Sequence, residues 1–317
     1  MEGKENGRKH YIDLMRGIAA ILVVIQHTLV TGTDSMAGVF VSWFHNPVFF
    51  IASGILLYGS LGRQEETGTL RLCLRQILSL LVPFIVWNII DGLICLALNK
   101  PLFSLASNAA WFLAVVFFAH CFIITIRKVR SRAAILAVFA LLLAGIAASS
   151  FIASFAAKVL TFTCIVYLGY NIESLRLSQK TCITVNLLLL AAFAAAVFLV
   201  MRQQFTVADG ITSGYRLLVN MAAIILSASL MLFSMRNLYG LLAKIPITPA
   251  LCFLGQYTMQ LYLLPFPLCS LAGLFSGSPW LMFLISIFGS LLIGILIKDT
   301  IIDKILFRPA RLFAKKH

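Results

Sequence analysis

Apolar positions in this chain neither alternate nor form narrow helical stripes; they run on. Ten apolar stretches, at about 12–31, 39–60, 77–98, 109–127, 133–151, 154–173, 182–201, 215–235, 248–273 and 280–302, are separated by short polar connections. Each is close to the roughly 20 residues that an α-helix needs to cross a hydrocarbon core. Backbone groups in lipid must be satisfied within the spanning element, and runs of this length exclude barrel strands. The pattern predicts an all-α, polytopic membrane protein of about ten transmembrane helices. Residues 1–317 are read as a single membrane domain with short tails. The division between the fifth and sixth spans rests only on Ser149, Ser150 and Ser154. The first run is read as a retained helix rather than a cleavable signal, because Arg16 lies inside it and no small-residue cleavage site follows it.

Composition agrees with this reading. With 61% hydrophobic and 11% charged residues and a mean hydropathy of +0.99, the chain lacks the charge to cover a soluble domain. A net charge of +14 suggests nucleic acid until it is mapped onto the loops. All but four of the 25 Lys and Arg fall in the tails and alternate loops on one side; the exceptions are Lys100, Lys158, Arg202 and Arg216. The positive-inside rule then places both termini in the cytoplasm, with the chain in the cell (inner) membrane. The charge is assigned to orientation and attraction to anionic lipid, and no nucleic-acid partner is expected. Seven cysteines stand singly with no C-x-x-C pair, so neither a metal site nor a disulfide framework is expected; no permanently bound cofactor is expected either.

Ionisable groups inside the membrane are costly, so each is a candidate for function. Here they are Arg16, His27, His45, Asp91 and His120. Arg16 and His27 are eleven positions apart, which returns a helix to nearly the same azimuth with a rise of roughly 16 Å. A snorkelling Arg with a hydrogen-bonded core His is one account. The other is a cation suited to phosphate at the inner boundary and an imidazole suited to proton transfer deeper in. His27, His45 and Asp91 fall at roughly 6, 9 and 10 Å below the outer ends of their spans. They are expected to line a common cavity.

Several local motifs share an order. Arg16-Gly17 with His27 forms R-x10-H, and Phe44-His45-Asn46-Pro47-Val48-Phe49-Phe50 leads to Ser53-Gly54. Arg75 precedes Pro83-Phe84 and Trp87, and Trp111-Phe112-Leu113 opens the fourth span. Leu168-Gly169-Tyr170 lies in the sixth; Leu254-Gly255-Gln256-Tyr257-Thr258 and Tyr262-Leu263-Leu264 lie in the ninth. Together these resemble the bacterial acyltransferase-3 family, integral-membrane O-acyltransferases of about ten helices that modify surface glycans. The resemblance runs from residue 12 to roughly 300.

The resemblance implies an acyl-CoA donor, most often acetyl-CoA, arriving from the cytoplasm. It also implies a hydroxyl acceptor on a carbohydrate, a lipid-linked glycan or another cell-envelope molecule. His27 would be the general base, and Arg16, Arg71 and Arg75 would hold the donor phosphates. Ser53 would either donate to the developing oxyanion or satisfy a backbone carbonyl. Asp91 would orient a histidine or pair with a neighbour such as Asn88, and His120 is read as a packing residue. The chain departs from the family at Pro265, where a His often follows Y-L-L, and at Ser79, where a second Arg is common. A transporter of a small polar substrate and a non-catalytic relative are the competing classes. Against the transporter, the sequence shows no paired Gly/Pro-broken helices and no internal symmetry.

Overall fold

The computed structural model describes residues 9–30, 36–62, 68–99, 110–127, 153–172, 179–205, 212–275 and 277–309, together with residues 129 and 135. The described residues are helical throughout, with no strand among them. In chain order the helices are α1 (His10–Thr28), α2 (Met36–Gly62), α3 (Thr69–Gln76), α4 (Val82–Ala97), α5 (Trp111–Ile126), α6 (Ala153–Ile172) and α7 (Gln179–Phe205). They continue with α8 (Thr212–Leu242), α9 (Thr248–Gln256), α10 (Thr258–Leu263), α11 (Pro265–Ala272), α12 (Pro279–Leu296) and α13 (Ile301–Leu306). Among the described residues, six segments are long and apolar enough to cross a membrane: His10–Thr28, Ala37–Gly62, Thr69–Ala97, Lys180–Leu199, Met221–Leu242 and Pro279–Leu296. Trp111–Ile126 and Lys158–Ile172 are apolar but shorter. The fifth expected span, 133–151, lies outside the described residues apart from Ile135.

Two expected spans differ in form. The third starts earlier, at Thr69, and its two α-helical parts are joined by a π-helical turn, Ile77–Leu81. Within that widened turn Ser79 donates to the Arg75 carbonyl at 2.8 Å. The ninth is broken twice rather than continuous. At Tyr257 the chain leaves helical geometry (φ −101°, ψ 24°), and Thr258 Oγ1 donates to the Gly255 carbonyl at 2.6 Å. At Leu264 the next residue is Pro265, which has no N–H to continue the ladder.

Glycines set the two closest helix crossings. A Cβ on Gly17 would strike the Leu251 carbonyl oxygen, and one on Gly255 would strike that of Asp13, so α1 and α9 meet backbone to backbone. Gly54 faces the Val166 carbonyl and Gly169 the Ile51 carbonyl in the same reciprocal way, joining α2 to α6. Without a hydrophobic force between helices in lipid, close backbone approach through small residues is what makes such contacts favourable. A third small-residue face, Ser286, Ser290 and Gly294 on α12, packs towards α10 and α11; Gly294 lies against Gln260 and Tyr257, and Ser286 meets Cys269 at 2.9 Å.

Around these crossings lies the main apolar core, built from α1, α2, α5, α6 and the broken ninth segment, with Phe50 and Phe162 stacked at 4.1 Å. A smaller cluster joins Trp43 of α2 to Phe193 of α7 and Ala223 of α8, where Ser227 donates to the Trp43 carbonyl. At the other end of the chain, the Trp87 indole donates to the Leu306 carbonyl at 3.0 Å and fixes α13 on α4. That turn is capped by Thr300 and tied by Arg308 to the fully buried Asp303 at 2.9 Å.

Candidate functional site

Beside the two glycine crossings, a cavity of about 290 Å³ opens among α1, α2, the third segment, α5 and α10. Arg16 of α1, Gln76 and Leu80 of the third segment, His120 of α5, and Thr258, Met259 and Tyr262 of the ninth all line it. Along α2 it runs from Phe49 to Ser60, eleven residues or about 16 Å. Each polar group reaches the cavity for a local reason. Arg16 and Ser53 immediately precede the crossing glycines Gly17 and Gly54, so close packing at the glycine turns the preceding side chain to the edge of the contact. Gln76 is the last residue before the π turn. Such turns re-aim side chains and recur at functional sites. Thr258 starts the short helix after the Tyr257 break, which carries Tyr262 to the other end of the cavity.

Inside the cavity a hydrogen-bonded chain crosses three segments. Ser53 Oγ lies 2.7 Å from His120 Nε2, and His120 Nδ1 lies 2.9 Å from Gln76 Oε1. The Gln76 oxygen can only accept, so Nδ1 carries the ring hydrogen and Nε2 accepts the Ser53 hydroxyl proton. Towards the N-terminal halves of α2 and α5 the cavity closes on an aromatic layer. The Tyr262 ring sits 5.5 Å from Phe49 and 4.0 Å from Phe112. Its hydroxyl donates to Asn46 Oδ1 at 2.9 Å.

The residues singled out in the sequence are placed as follows. Arg16, half-buried, and Ser53 line the cavity. Ser53 satisfies no backbone carbonyl; its partner is His120. His27 is exposed at the last turn of α1 and does not line the cavity. His45 is buried, hydrogen-bonds the Val41 carbonyl of its own helix at 2.9 Å and lies within electrostatic range of His27. Asp91 is buried on α4, one oxygen without a hydrogen-bond partner among the described residues. Because α4 packs chiefly on α5 and α13, Asp91 is not brought to the histidine pair. Arg71 and Arg75 are exposed on α3, outside the cavity, although Arg75 adjoins Gln76. His120, read from the sequence as packing, is instead the centre of the polar chain. Among the described residues no group of three or more His, Cys, Asp or Glu is placed to hold a metal.

The order of these elements is that of a known domain. A family model described as an acyltransferase domain matches residues 9–299, which includes every residue of the cavity. No curated protein and no solved structure matches the chain. With nearly its whole length matched and its helices apolar enough to span a bilayer, this chain belongs to the acyltransferase-3 family of multi-pass membrane proteins.

Proposed function

We propose that the protein transfers an acyl group, acetyl in the simplest case, from acyl-CoA to a hydroxyl of a glycan or other cell-envelope acceptor. The observation that carries this reading is the cavity, which joins a cation, Arg16, to a serine–histidine pair at its middle. A length of about 16 Å along α2 is of the order of a pantetheine arm. In this reading the donor enters from the cytoplasmic side. Arg16 meets its phosphates by charge-assisted hydrogen bonds, and Arg71 and Arg75 attract them from the exposed face of α3. The thioester lies near Ser53. His45 stands eight residues, about 12 Å, further out along α2 than Ser53, with His27 of α1 within its electrostatic range. This pair forms the acceptor side, where a neutral imidazole accepts a hydrogen bond from the hydroxyl and orients it for entry. Both termini lie in the cytoplasm and the chain sits in the inner membrane, as the basic loops imply.

The test is acyl transfer by the purified protein in lipid nanodiscs, using radiolabelled acetyl-CoA and a lipid and glycan extract of the source envelope as acceptor. Alkali-labile label should appear in the extract, and both Arg16→Ala and His27→Ala should reduce it. Consumption of neither acetyl-CoA nor longer or dicarboxylic acyl-CoA would overturn the reading and leave a transporter or a non-catalytic relative.

A further inference from the structure

We propose that Ser53 is a nucleophile, activated by His120 and Gln76, that holds the acyl group as an ester between donor and acceptor. This rests on the acyltransferase reading and adds a covalent step to it. The first support is how Ser53 spends its hydroxyl. Within helices, serine and threonine ordinarily donate to a carbonyl one turn back. Thr28, Thr163 and Ser229 do so here, to Val24, Val159 and Ile225. Ser53 instead hydrogen-bonds a histidine ring on another helix at 2.7 Å. The second support is how the ring is held. His45 has a carbonyl of its own helix as partner, whereas His120 has a hydroxyl on one nitrogen and an amide oxygen on the other. A nucleophile within hydrogen-bond reach of a base, with the base oriented by a third group, is the arrangement that activates serine in acyl transfer. The third support is position: Ser53, His120 and Gln76 all line the one cavity, which also contains Arg16.

The steps balance without a further reactant. Ser53 Oγ attacks the thioester carbonyl while its proton passes to His120 Nε2. The carbon–sulfur bond breaks, the CoA thiolate takes that proton, and CoA leaves as the free thiol. An acceptor hydroxyl, engaged on the outer side by His27 and His45, then reaches the ester past Tyr262. It attacks the carbonyl, its proton passes to His120 Nε2, and the Ser53 oxygen leaves with that proton. The aromatic layer gives the intermediate its purpose. The acyl group is held on the inner side of Tyr262 while CoA departs, so donor and acceptor need not occupy the cavity together.

Intact protein in nanodiscs, mixed with radiolabelled acetyl-CoA and no acceptor, should release about one CoA per protein in a burst. The free thiol is measured by chromatography, because the seven free cysteines would consume a thiol reagent. The label should stay on the protein, resist neutral hydroxylamine and map to the peptide containing Ser53. Ser53→Ala should lose both burst and label. Ser53→Cys, which keeps a nucleophile of similar size, should carry a label that neutral hydroxylamine removes. His120→Ala should slow labelling roughly 10²-fold or more. His27→Ala should label normally and fail to pass the label to acceptor. Steady turnover of acetyl-CoA without a burst, with Ser53→Ala as active as the natural protein, would overturn the covalent step and leave the acyltransferase reading standing. Turnover of no acyl-CoA would overturn both.

Discussion

Adding one methyl group at Gly54 should destabilise the protein, and adding it at Gly59 of the same helix should not. A Cβ built on Gly54 lies 2.8 Å from Tyr170 N and 2.9 Å from Val166 C, and closer still to the Val166 oxygen. Carbon contacts are favourable at about 3.5–4.0 Å, so α2 and α6 would have to separate by on the order of 1 Å. The obstructing atoms are backbone and cannot rotate away. Overpacking of this kind costs about 1–3 kcal/mol. At Gly59 a Cβ would meet nothing within 4 Å. There the change removes the helix penalty of glycine and should stabilise by roughly 0.5–1 kcal/mol. The two variants should therefore differ by about 1.5–4 kcal/mol.

Equilibrium unfolding in mixed detergent micelles, followed by tryptophan fluorescence, measures this difference. Gly169→Ala acts on the same crossing, so the double variant with Gly54→Ala should cost less than the sum of the two. Gly54→Ala at or above natural stability would mean that the helices do not touch there, and the argument from glycine crossings would fail. The result also bears on activity. Gly54 adjoins Ser53, and a Gly54→Ala protein that loses turnover has lost the spacing of the cavity rather than a chemical group.

Arg16→Ala should weaken acyl-CoA binding. In the natural protein that affinity should fall as salt is raised, and in the variant the dependence should be shallower; equal affinity and equal salt slope in isothermal titration would return Arg16 to an anchoring role. Tyr262→Phe removes the donor to Asn46 and should cost about 1 kcal/mol while the aromatic layer stays closed. Tyr262→Ala should instead open that layer and raise acyl-CoA hydrolysis by water, read as CoA release without acceptor. Reporter fusions near the two termini should both report cytoplasm.

The helical membrane class was legible because an apolar run of about 20 residues has few structural outcomes. The motifs R-G, S-G, L-G-Y and L-G-Q were visible as a family signature, but not their reason. Only three dimensions show that Gly17 meets α9 and Gly54 meets α6. Pro265 was visible as a departure, and the break before it follows from its missing N–H; the break at Tyr257 has no proline to announce it. His120 was misjudged because a lone histidine in an apolar run has no local partner. Its two partners are 67 and 44 positions away in the chain. None of His27, His45 and Asp91 lines the cavity, and of the three only the two histidines lie within electrostatic range of each other. Equal depth on consecutive spans does not make helices neighbours, and α4 turns its contacts to α5 and α13.

The helix directions bear on how often the chain crosses the bilayer. On α2, Phe50 meets Phe162, Gly54 meets Val166 and Tyr58 meets Tyr170, so α6 is parallel to α2. Phe50 also meets Trp111, and Ser53 meets His120, so α5 runs the same way. Two helices that cross a bilayer in one direction require an odd number of crossings between them in the sequence. The apolar run at 133–151 has the length for one crossing. With one crossing for each of the other expected spans, the proposed ten-span topology has even parity and both ends on one side, the cytoplasm by the positive-inside rule. The sharp test is a pair of reporter fusions, one after Arg132 and one after Phe151. They should report opposite sides, cytoplasm and exterior. If both report one side, the fifth span does not exist and the parity argument fails with it.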